Sequence, residues 1–315
     1  MSNMNILCST DDNYVPYCGI MLTSLFENNI STTFNVYILT EELNDKNKND
    51  LATLANNYQQ KIEILTIDKE ILKDCPIKKS DYVSLATYYR ILAPILLPND
   101  VDTILYLDCD IIINQNIADL YNSNINEYAI GAVIDDDFGN EDKYLRLNIP
   151  QKYSYINAGV LLINLKYWRE NNIIDRCLDY IKNNKEKLLQ HDQDVINAIL
   201  HNKTKRLPVT NNFQTAFILS HLQHKYAAEI QNTIREHMYN PTIIHYTGNG
   251  KPWHKHSQHP YTNRYLHYYR ISIWKEHPIV DNEDFKDKLR LCFAKALWFL
   301  GIKKRPQHYI LEKQK

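Results

Sequence analysis

The chain has 315 residues, of which 44% are hydrophobic, so it can bury one large core or two small ones. Basic and acidic residues nearly balance at 36 and 37, which argues against a nucleic-acid partner. The six cysteines are scattered without a C-x-x-C pair, which excludes the usual zinc spacing and a dense disulfide framework. We therefore expect a reduced, cytoplasmic protein.

Apolar runs and helical repeats alternate along most of the chain. The pattern predicts strands at 5–10, 34–40, 61–67, 103–107, 129–134, 155–165 and 242–246. It predicts helices from 17 onwards and at 43–58, 84–95, 167–183 and 192–200. This alternation is typical of an α/β fold with a mainly parallel sheet and helices on both faces. No G-x-G-x-x-G turn is present, which argues against an ordinary dinucleotide-binding fold.

Two aspartates follow the strand predicted at 103–107. Asp108 and Asp110 stand where that strand ends, and open α/β sheets bind ligands at the carboxyl ends of their strands. Paired carboxylates suit a divalent cation, and such a cation suits a diphosphate. Aspartate is also common in turns, so a capped strand end is the alternative.

Several separated segments form a joint pattern. They are Ser9-Thr10-Asp11-Asp12-Asn13-Tyr14, Leu107-Asp108-Cys109-Asp110, the run 155–165, His191-Asp192-Gln193-Asp194, and His245-Tyr246-x-Gly248-x-x-Lys251-Pro252-Trp253-His254. In this order, from about residue 5 to about residue 253, they resemble the family-eight retaining glycosyltransferases. The pattern is most similar to the bacterial branch of lipooligosaccharide and lipopolysaccharide α-galactosyltransferases and glucosyltransferases.

The resemblance implies a GT-A fold, in which a Rossmann-like nucleotide-binding sheet is merged with an acceptor-binding region. It implies metal-dependent transfer of galactose or glucose from a UDP-sugar to a glycan, with retention at the anomeric carbon. The acceptor would be a lipid-linked or cell-surface saccharide. The implied ligands for Mn²⁺ or Mg²⁺ are Asp108, Asp110 and His245. Manganese accepts carboxylate and imidazole together, which agrees with this set.

The resemblance also implies a set of donor-binding residues. Glycine at 248 permits close backbone approach to a phosphate, and a lysine at 251 supplies a point charge to it. The donor-binding residues are Ser9, Thr10, Asp11, Asn13, Tyr14, Arg90, Asp108, Cys109, Asp135, Asn157, Gly248 and Lys251.

The catalytic residues implied by the resemblance are Gln193, Asp194 and Asp192. A carboxylate nucleophile would form a covalent glycosyl-enzyme, whereas an amide such as Gln193 is a poor nucleophile and favours front-side attack within an ion pair. We favour the front-side route. Asp192 is also a candidate cap for the helix that follows. The acceptor pocket of the family falls near Tyr82, Asp136 and Phe138.

The C-terminal region is basic. Residues 286–315 contain nine Lys or Arg and two Asp or Glu, a net of +7, so the rest of the chain carries −8. Apolar residues at helical spacing in 286–301 alternate with basic ones, which is typical of an interfacial helix on anionic lipid. A helix docked on the core is the alternative. We predict a glycosyltransferase domain at 1–255 and a helical C-terminal region at 256–315, with the protein held peripherally on the inner face of the cytoplasmic membrane.

Two other functional classes remain open from the sequence. A haloacid-dehalogenase-like phosphohydrolase also places D-x-D after a strand, but Ile112 stands where that class has Thr or Val. A glycan-binding protein without catalysis is the second alternative, although it has little use for a metal-and-phosphate constellation. Release of UDP, release of phosphate, or binding without turnover would distinguish the three.

Overall fold

The computed structural model describes residues 3–77, 84–135, 141–281, 302 and 309–311. Within these residues the strands are β1 Asn3–Ser9, β2 Thr33–Thr40, β3 Lys61–Thr66, β4 Thr103–Leu107, β5 Ile111–Ile113, β6 Ile130–Ile134, β7 Ile156–Asn164, β8 Thr204–Arg206, β9 Phe213–Gln214 and β10 Ile243–His245. Seven of them form one sheet in the order β3-β2-β1-β4-β7-β6-β8, and β5, β10 and β9 form a second, smaller sheet.

The larger sheet is mixed, although most of its strand pairs are parallel. Strands β1 to β4 run in one direction, as do β6 and β8, whereas β7 is antiparallel to both β4 and β6. The prediction of a mainly parallel α/β sheet is therefore confirmed. The antiparallel β7 has a direct consequence for the site, because it brings Gly159 beside Asp108, whose N–H donates to the Gly159 carbonyl at 2.9 Å.

The α-helices in the described residues are α1 Val15–Glu27, α2 Asp45–Tyr58, α3 Ala93–Leu96, α4 Ala118–Tyr121, α5 Glu141–Leu147, α6 Leu165–Glu170, α7 Ile173–Asn183, α8 His191–Leu200, α9 Ala228–His237 and α10 Thr262–Ile271. The helix predicted at 84–95 is a 3₁₀ helix, Leu85–Leu92, that continues into α3. The helix predicted at 167–183 is split, because Asn172 adopts the left-handed region at φ 48° between α6 and α7.

The hydrophobic core lies on both faces of the larger sheet. Ile6 and Leu7 are adjacent on β1 and fully buried, yet they belong to opposite layers, as the alternation of side chains in a strand requires. One layer includes residues of α1 and α10, and the other includes the 3₁₀ helix and residues of α6 to α8. The predicted helices on both faces are thus present.

The described part of the C-terminal region packs against the rest of the fold. On α10, Tyr268 accepts a hydrogen bond from Asn28 at 2.7 Å. Val280 pairs with His254 in an isolated β-bridge, and Tyr309 pairs with Leu219 in another. The domain division at 255/256 stays a prediction, and the predicted basic amphipathic segment lies outside the described residues. Among the helices that the structure does describe, none combines the length and the apolar character needed to cross a membrane.

Candidate active site

Two strand ends bring an acidic pair and a histidine together. Asp108 and Asp110 follow β4, and the chain turns directly into β5, which pairs antiparallel with β10. In that register Ile111 lies opposite His245, the last residue of β10, and the Tyr246 N–H donates to the Asp110 carbonyl at 3.0 Å. The short strand β5, which sequence analysis missed, therefore positions the histidine beside the aspartates.

Asp108, Asp110 and His245 form a compact set of ligand atoms, all within 4.8 Å of one another. His245 Nε2 lies 3.2 Å from Asp110 Oδ1 and 4.0 Å from Asp108 Oδ2. Glycine at 159 makes room for this cluster, since a Cβ there would stand 2.3 Å from His245 Cε1 and 2.7 Å from Asp108 Oδ2. Two carboxylates and one imidazole in such a cradle fit a divalent cation of the Mn²⁺ type.

Asp110 is held in its ionised form. Burial opposes ionisation, but the nearby Lys251 ammonium and His245 outweigh it and hold the pKa of Asp110 well below its ordinary value. Lys251 Nζ donates to Asp110 Oδ2, and also to the Tyr246 carbonyl at 2.7 Å. The Lys251 ammonium and the Asp110 carboxylate thus contact each other at the place where the diphosphate of the donor is expected.

Arg90 is almost completely buried behind Asp108. Its guanidinium donates to Asp108 Oδ1 at 2.9 Å, forms an ion pair with Asp192 at 2.9 Å, and stacks 4.0 Å from the Tyr106 ring centroid. Burial opposes the charge of Arg90, but Asp108 and Asp192 more than compensate and raise its pKa above the ordinary value. In this structure the predicted donor-binding arginine therefore orients an implied metal ligand; its contact with the donor stays a prediction.

The two aspartates of the predicted catalytic trio have structural partners. Asp192 is 2% exposed and accepts from the Thr87 hydroxyl, and burial raises the pKa of its carboxyl despite the Arg90 charge. Asp194 is 0% exposed. It accepts from Arg146 at 2.8 Å, from Tyr155 at 2.7 Å, and from the backbone N–H groups at 189 and 190. These contacts favour a structural role for Asp194, and its predicted catalytic role is untested.

Gln193 lies with Asp135 and Asn157 in a polar group next to the metal-ligand cluster. Gln193 donates to Asp135 Oδ2 at 2.8 Å, and its carbonyl accepts from the Ala158 N–H at 2.9 Å. Asn157 reaches Asp135 Oδ1 at 3.5 Å. Of the three residues predicted to be catalytic, Gln193 is the one that hydrogen-bonds to Asp135, a predicted donor-binding residue.

The loop after β10 carries Lys251 and is packed against α1. Gly248 has φ 78°, a left-handed conformation that glycine adopts at little cost. Trp253, 5% exposed, stacks on Tyr17 with ring centroids 4.1 Å apart. The stack holds the loop at Trp253, two residues after Lys251, whose ammonium contacts Asp110.

The predicted nucleotide-binding residues lie in the loop after β1. Asp11 Oδ1 accepts from the N–H groups of Asn13 at 3.0 Å and Tyr14 at 3.1 Å, so its carboxylate shapes the loop. The Cys109 thiol donates to the Ser9 carbonyl at 3.2 Å, which joins this loop to the Asp108–Asp110 turn. Thr10 is buried next to them. The predicted acceptor residues Tyr82, Asp136 and Phe138 lie outside the described residues.

Some described residues that contact the site were not predicted from the sequence, among them Asn212, Tyr106 and Lys143. Asn212 accepts from His245, Tyr106 donates to Asp108 Oδ1, and the Lys143 ammonium lies 3.6 Å from Asp135 Oδ2. Tyr106 could have been predicted, because it is the polar residue of β4 that lies two positions before Asp108. No local pattern marks Asn212, because its partner His245 is 33 residues away in sequence, and none marks Lys143.

A model of the family described as "Glycosyl transferase family 8" matches residues 5–257. The chain is 30% identical over 305 residues to lipopolysaccharide 1,2-glucosyltransferase of Escherichia coli K12, covering 95% of this chain and 88% of that protein. It is 29% identical to general stress protein A of Bacillus subtilis, covering 86% and 94%. It is 28% identical to lipopolysaccharide 1,3-galactosyltransferase of Salmonella typhimurium, covering 86% and 79%.

The fold is also similar to solved structures. A crystal structure of galactosyltransferase LgtC with donor and acceptor sugar analogs superimposes with a TM-score of 0.78 and 23% identity, covering 86% of this chain and 96% of that one. This likeness confirms the predicted GT-A fold. The phosphohydrolase and non-catalytic alternatives are not favoured. Enzymes of this family use a UDP-sugar donor and typically a divalent metal ion. With matching sequence motifs, family model and fold, the chain belongs to glycosyl transferase family 8, and it is a hexosyltransferase.

Proposed function

We propose that this enzyme moves a galactosyl or glucosyl group from UDP-galactose or UDP-glucose to a saccharide, with retention and with Mn²⁺ at Asp108, Asp110 and His245. The observation that carries the proposal is the cluster of these three ligand atoms within 4.8 Å, beside the Lys251 ammonium. When bound there, the cation supplies a Lewis acid for the negative charge that develops on the departing UDP.

Lys251 has the second electrostatic role in the proposed reaction. Its side chain is 18% exposed and touches Asp110, so it lies at the edge of the metal-ligand cluster where the diphosphate would be bound. A preorganised cation acts most strongly where charge develops in the transition state. Lys251 therefore stabilises the departing β-phosphate oxygen, and the Tyr17–Trp253 stack holds its loop in place.

The nucleotide end of the donor is assigned to the loop after β1. Asp11 and Asn13 face the uracil and ribose in this proposal, and Ser9 and Thr10 contribute backbone contacts. The hydrogen bonds from the Asn13 and Tyr14 N–H groups to Asp11 support a preformed loop. The thiol of Cys109 links that loop to the metal-ligand turn, so nucleotide and metal sites are held at a fixed spacing.

The sugar end is assigned to Asp135, Asn157 and Gln193. Both oxygens of Asp194 accept hydrogen bonds from Arg146, and Asp192 is engaged by Arg90, so neither carboxylate is presented as a nucleophile. Gln193, an amide, contacts Asp135 instead. This arrangement supports front-side attack by the acceptor hydroxyl. The dipole of the Gln193 amide and the negative charge of Asp135 would stabilise the oxocarbenium-like sugar in the transition state.

The acceptor is proposed to be a lipid-linked saccharide. Two relatives are named for lipopolysaccharide, one as a glucosyltransferase and one as a galactosyltransferase. The basic C-terminal residues 286–315, with a net charge of +7, would attach the enzyme peripherally to an anionic membrane that displays such an acceptor.

The experiment is a screen of UDP-sugars for UDP release, with and without Mn²⁺. We expect release only with the divalent cation, and we expect Asp110→Ala to abolish it because one carboxylate ligand is lost. Asp119→Ala, which removes an exposed acid on α4, is the matched control and should retain activity. Full activity of the wild type in excess chelator would overturn the proposal.

A further inference from the structure

Asn212 has a buried side-chain amide that contacts His245 at Nδ1, the ring nitrogen other than the one facing the aspartates. Its side chain is 0% exposed, and its Oδ1 lies 2.8 Å from His245 Nδ1. Its other end donates to Asn157 Oδ1 at 2.8 Å. Asn157 Oδ1 also accepts from the Gly159 N–H at 3.0 Å. The amide is therefore fixed at both ends by groups of the active site.

These contacts define the orientation of the Asn212 amide. Asn157 Oδ1 is an acceptor, so the group that faces it must be the Asn212 NH₂. The Asn212 carbonyl oxygen is then directed at His245 Nδ1. A carbonyl oxygen can only accept, so Nδ1 must carry a hydrogen. In the neutral imidazole that binds a metal ion, the lone pair is then on Nε2, the atom that faces Asp108 and Asp110.

The backbone holds Asn212 and His245 in a fixed relation. Asn212 ends the 3₁₀ turn Val209–Asn212, immediately before β9. Strand β9 pairs in parallel with β10, and Gln214 lies opposite His245. Two residues placed by the same strand pair keep their spacing without relying on flexible loops.

We propose that Asn212 is a positioning residue that fixes the Nδ1–H form of His245 and thereby sets the affinity of the centre for a divalent cation. Metal-bound histidines usually donate their second N–H to a carbonyl or carboxylate, which fixes the ring and raises its basicity. Asn212 supplies that acceptor here. The Asn212 amide also donates to Asn157, whose side chain reaches Asp135. A chain of polar contacts therefore joins the metal-ligand cluster to the polar group formed by Asp135, Asn157 and Gln193.

This inference rests on the proposed function, because it takes His245 as a metal ligand. The test is a titration with MnCl₂ in the presence of UDP, followed by the electron paramagnetic resonance signal of free Mn²⁺. We expect Asn212→Ala to weaken Mn²⁺ binding by about 10- to 100-fold, the usual effect of losing such a partner. Asn212→Asp keeps an acceptor for His245 Nδ1–H, although it loses the donor to Asn157, and should bind Mn²⁺ more tightly than Asn212→Ala.

The control is Asn29→Ala. Asn29 is another buried amide, 2% exposed, which donates to the Leu25 carbonyl at 2.8 Å and accepts from the Ile117 N–H at 3.0 Å, both remote from the metal-ligand cluster. The Asn29→Ala variant should be less stable than the wild type but should bind Mn²⁺ with the same affinity. ¹⁵N NMR of the His245 ring, assigned with His245→Gln, should show a protonated Nδ1 in the metal-free wild type and a mixture of tautomers in Asn212→Ala.

The outcomes separate the two proposals. A folded wild type that binds no Mn²⁺ in the presence of UDP contradicts the proposed function. A wild type that binds Mn²⁺ while Asn212→Ala binds it equally well contradicts the role of Asn212 alone. If Asn212→Ala does not fold, the ¹⁵N spectrum of the wild type is decisive, since a metal-free His245 ring whose Nδ1 carries no hydrogen overturns the inference.

Discussion

Asp192, Gln193 and Asp194 are consecutive on α8, but their side chains have different partners. Successive residues of a helix point about 100° apart, so the three side chains reach different partners. Asp192 faces Arg90, Asp194 faces Arg146, and Gln193 faces Asp135. Gln193 is thus the member of this trio that contacts Asp135, and the catalytic role of all three residues stays a prediction.

For Asp194, structural and catalytic roles predict different effects of Asp194→Asn. We expect the free energy of unfolding to fall by about 3 kcal/mol, because one member of a buried ion pair with Arg146 loses its charge. We expect kcat per folded molecule to stay within about threefold of the wild type. Urea denaturation and initial rates measure the two quantities. A loss of kcat of about 1,000-fold with unchanged stability would instead establish the catalytic role.

His259 predicts a pH dependence of stability. Burial, together with the Lys251 charge, lowers the pKa of His259 from 6.5 to about 3. The unfolded chain therefore binds a proton between these values that the native protein does not, and stability falls as the pH falls through this window. From pH 8 to pH 5 this histidine should account for about 2 kcal/mol of lost stability.

The measurement is urea denaturation of the wild type and His259→Gln at both pH values. Glutamine keeps polar contact with Thr215, which lies 3.2 Å from His259 Nε2, but it does not titrate. The variant should lose less stability than the wild type on acidification. An identical loss in both proteins would show that His259 is protonated equally in the folded and unfolded states.

Sequence predicts site residues well where a motif lies next to a strand end. Asp108, Asp110 and His245 are of this kind, and the structure brings all three together. Asn212 and His259 could not be found in this way. Asn212 is 33 residues from His245 in sequence, and their contact exists only because β9 and β10 pair.

At the scale of elements, the stack of Trp253 on Tyr17 is one of the contacts that hold the loop after β10. We expect Trp253→Ala to raise the KM for the UDP-sugar by about tenfold, because loss of the stack on Tyr17 frees the loop that carries Lys251. Steady-state kinetics over a range of donor concentrations measure this. Trp253→Phe, which keeps an aromatic ring, should recover most of the affinity. Unchanged KM in Trp253→Ala would rule out this role for the stack.

Helix type and helix ends were the least predictable local features. The segment Leu85–Leu92 has a helical apolar pattern but forms a 3₁₀ helix, in which Arg90 reaches Asp108 and Asp192. Periodicity does not separate 3.0 from 3.6 residues per turn over eight residues. The break at Asn172 likewise depends on a left-handed conformation that asparagine tolerates but does not require.

At the scale of the whole molecule, the α/β class and the positions of the main strands along the chain follow from apolar runs and helical repeats in the sequence. The direction of β7 and the second sheet do not. A buried strand has the same composition whichever way it runs, and β5 and β9 contain only three and two residues. These missed features place Gly159 and His245 at the site.

The proposed membrane attachment predicts a charge-dependent interaction. We expect replacement of seven basic residues by glutamine to abolish sedimentation with phosphatidylglycerol vesicles, since each contributes about 1 kcal/mol near an anionic surface. The residues are Lys286, Lys288, Arg290, Lys295, Lys303, Lys304 and Arg305. Hydrolysis of the UDP-sugar should be unchanged. Truncation is less suitable, because it would also remove Leu311, which is 3% exposed in the core.

The control is a variant with Lys46→Gln and Lys48→Gln, which removes exposed charge on α2. It should sediment like the wild type. Equal sedimentation of the sevenfold variant and the wild type would contradict membrane attachment through these residues.

The two β-bridges near the C-terminus have a geometric consequence. Val280 is joined to His254, and Tyr309 is joined to Leu219, with its ring 5.7 Å from that of His259. Val280 and Tyr309, described residues that precede and follow the basic stretch in sequence, are thus each paired with the rest of the fold. In the proposed membrane attachment, these two pairings would join a bilayer-bound basic stretch to the folded domain on both sides, so adsorption would restrain the enzyme more than a single tether would.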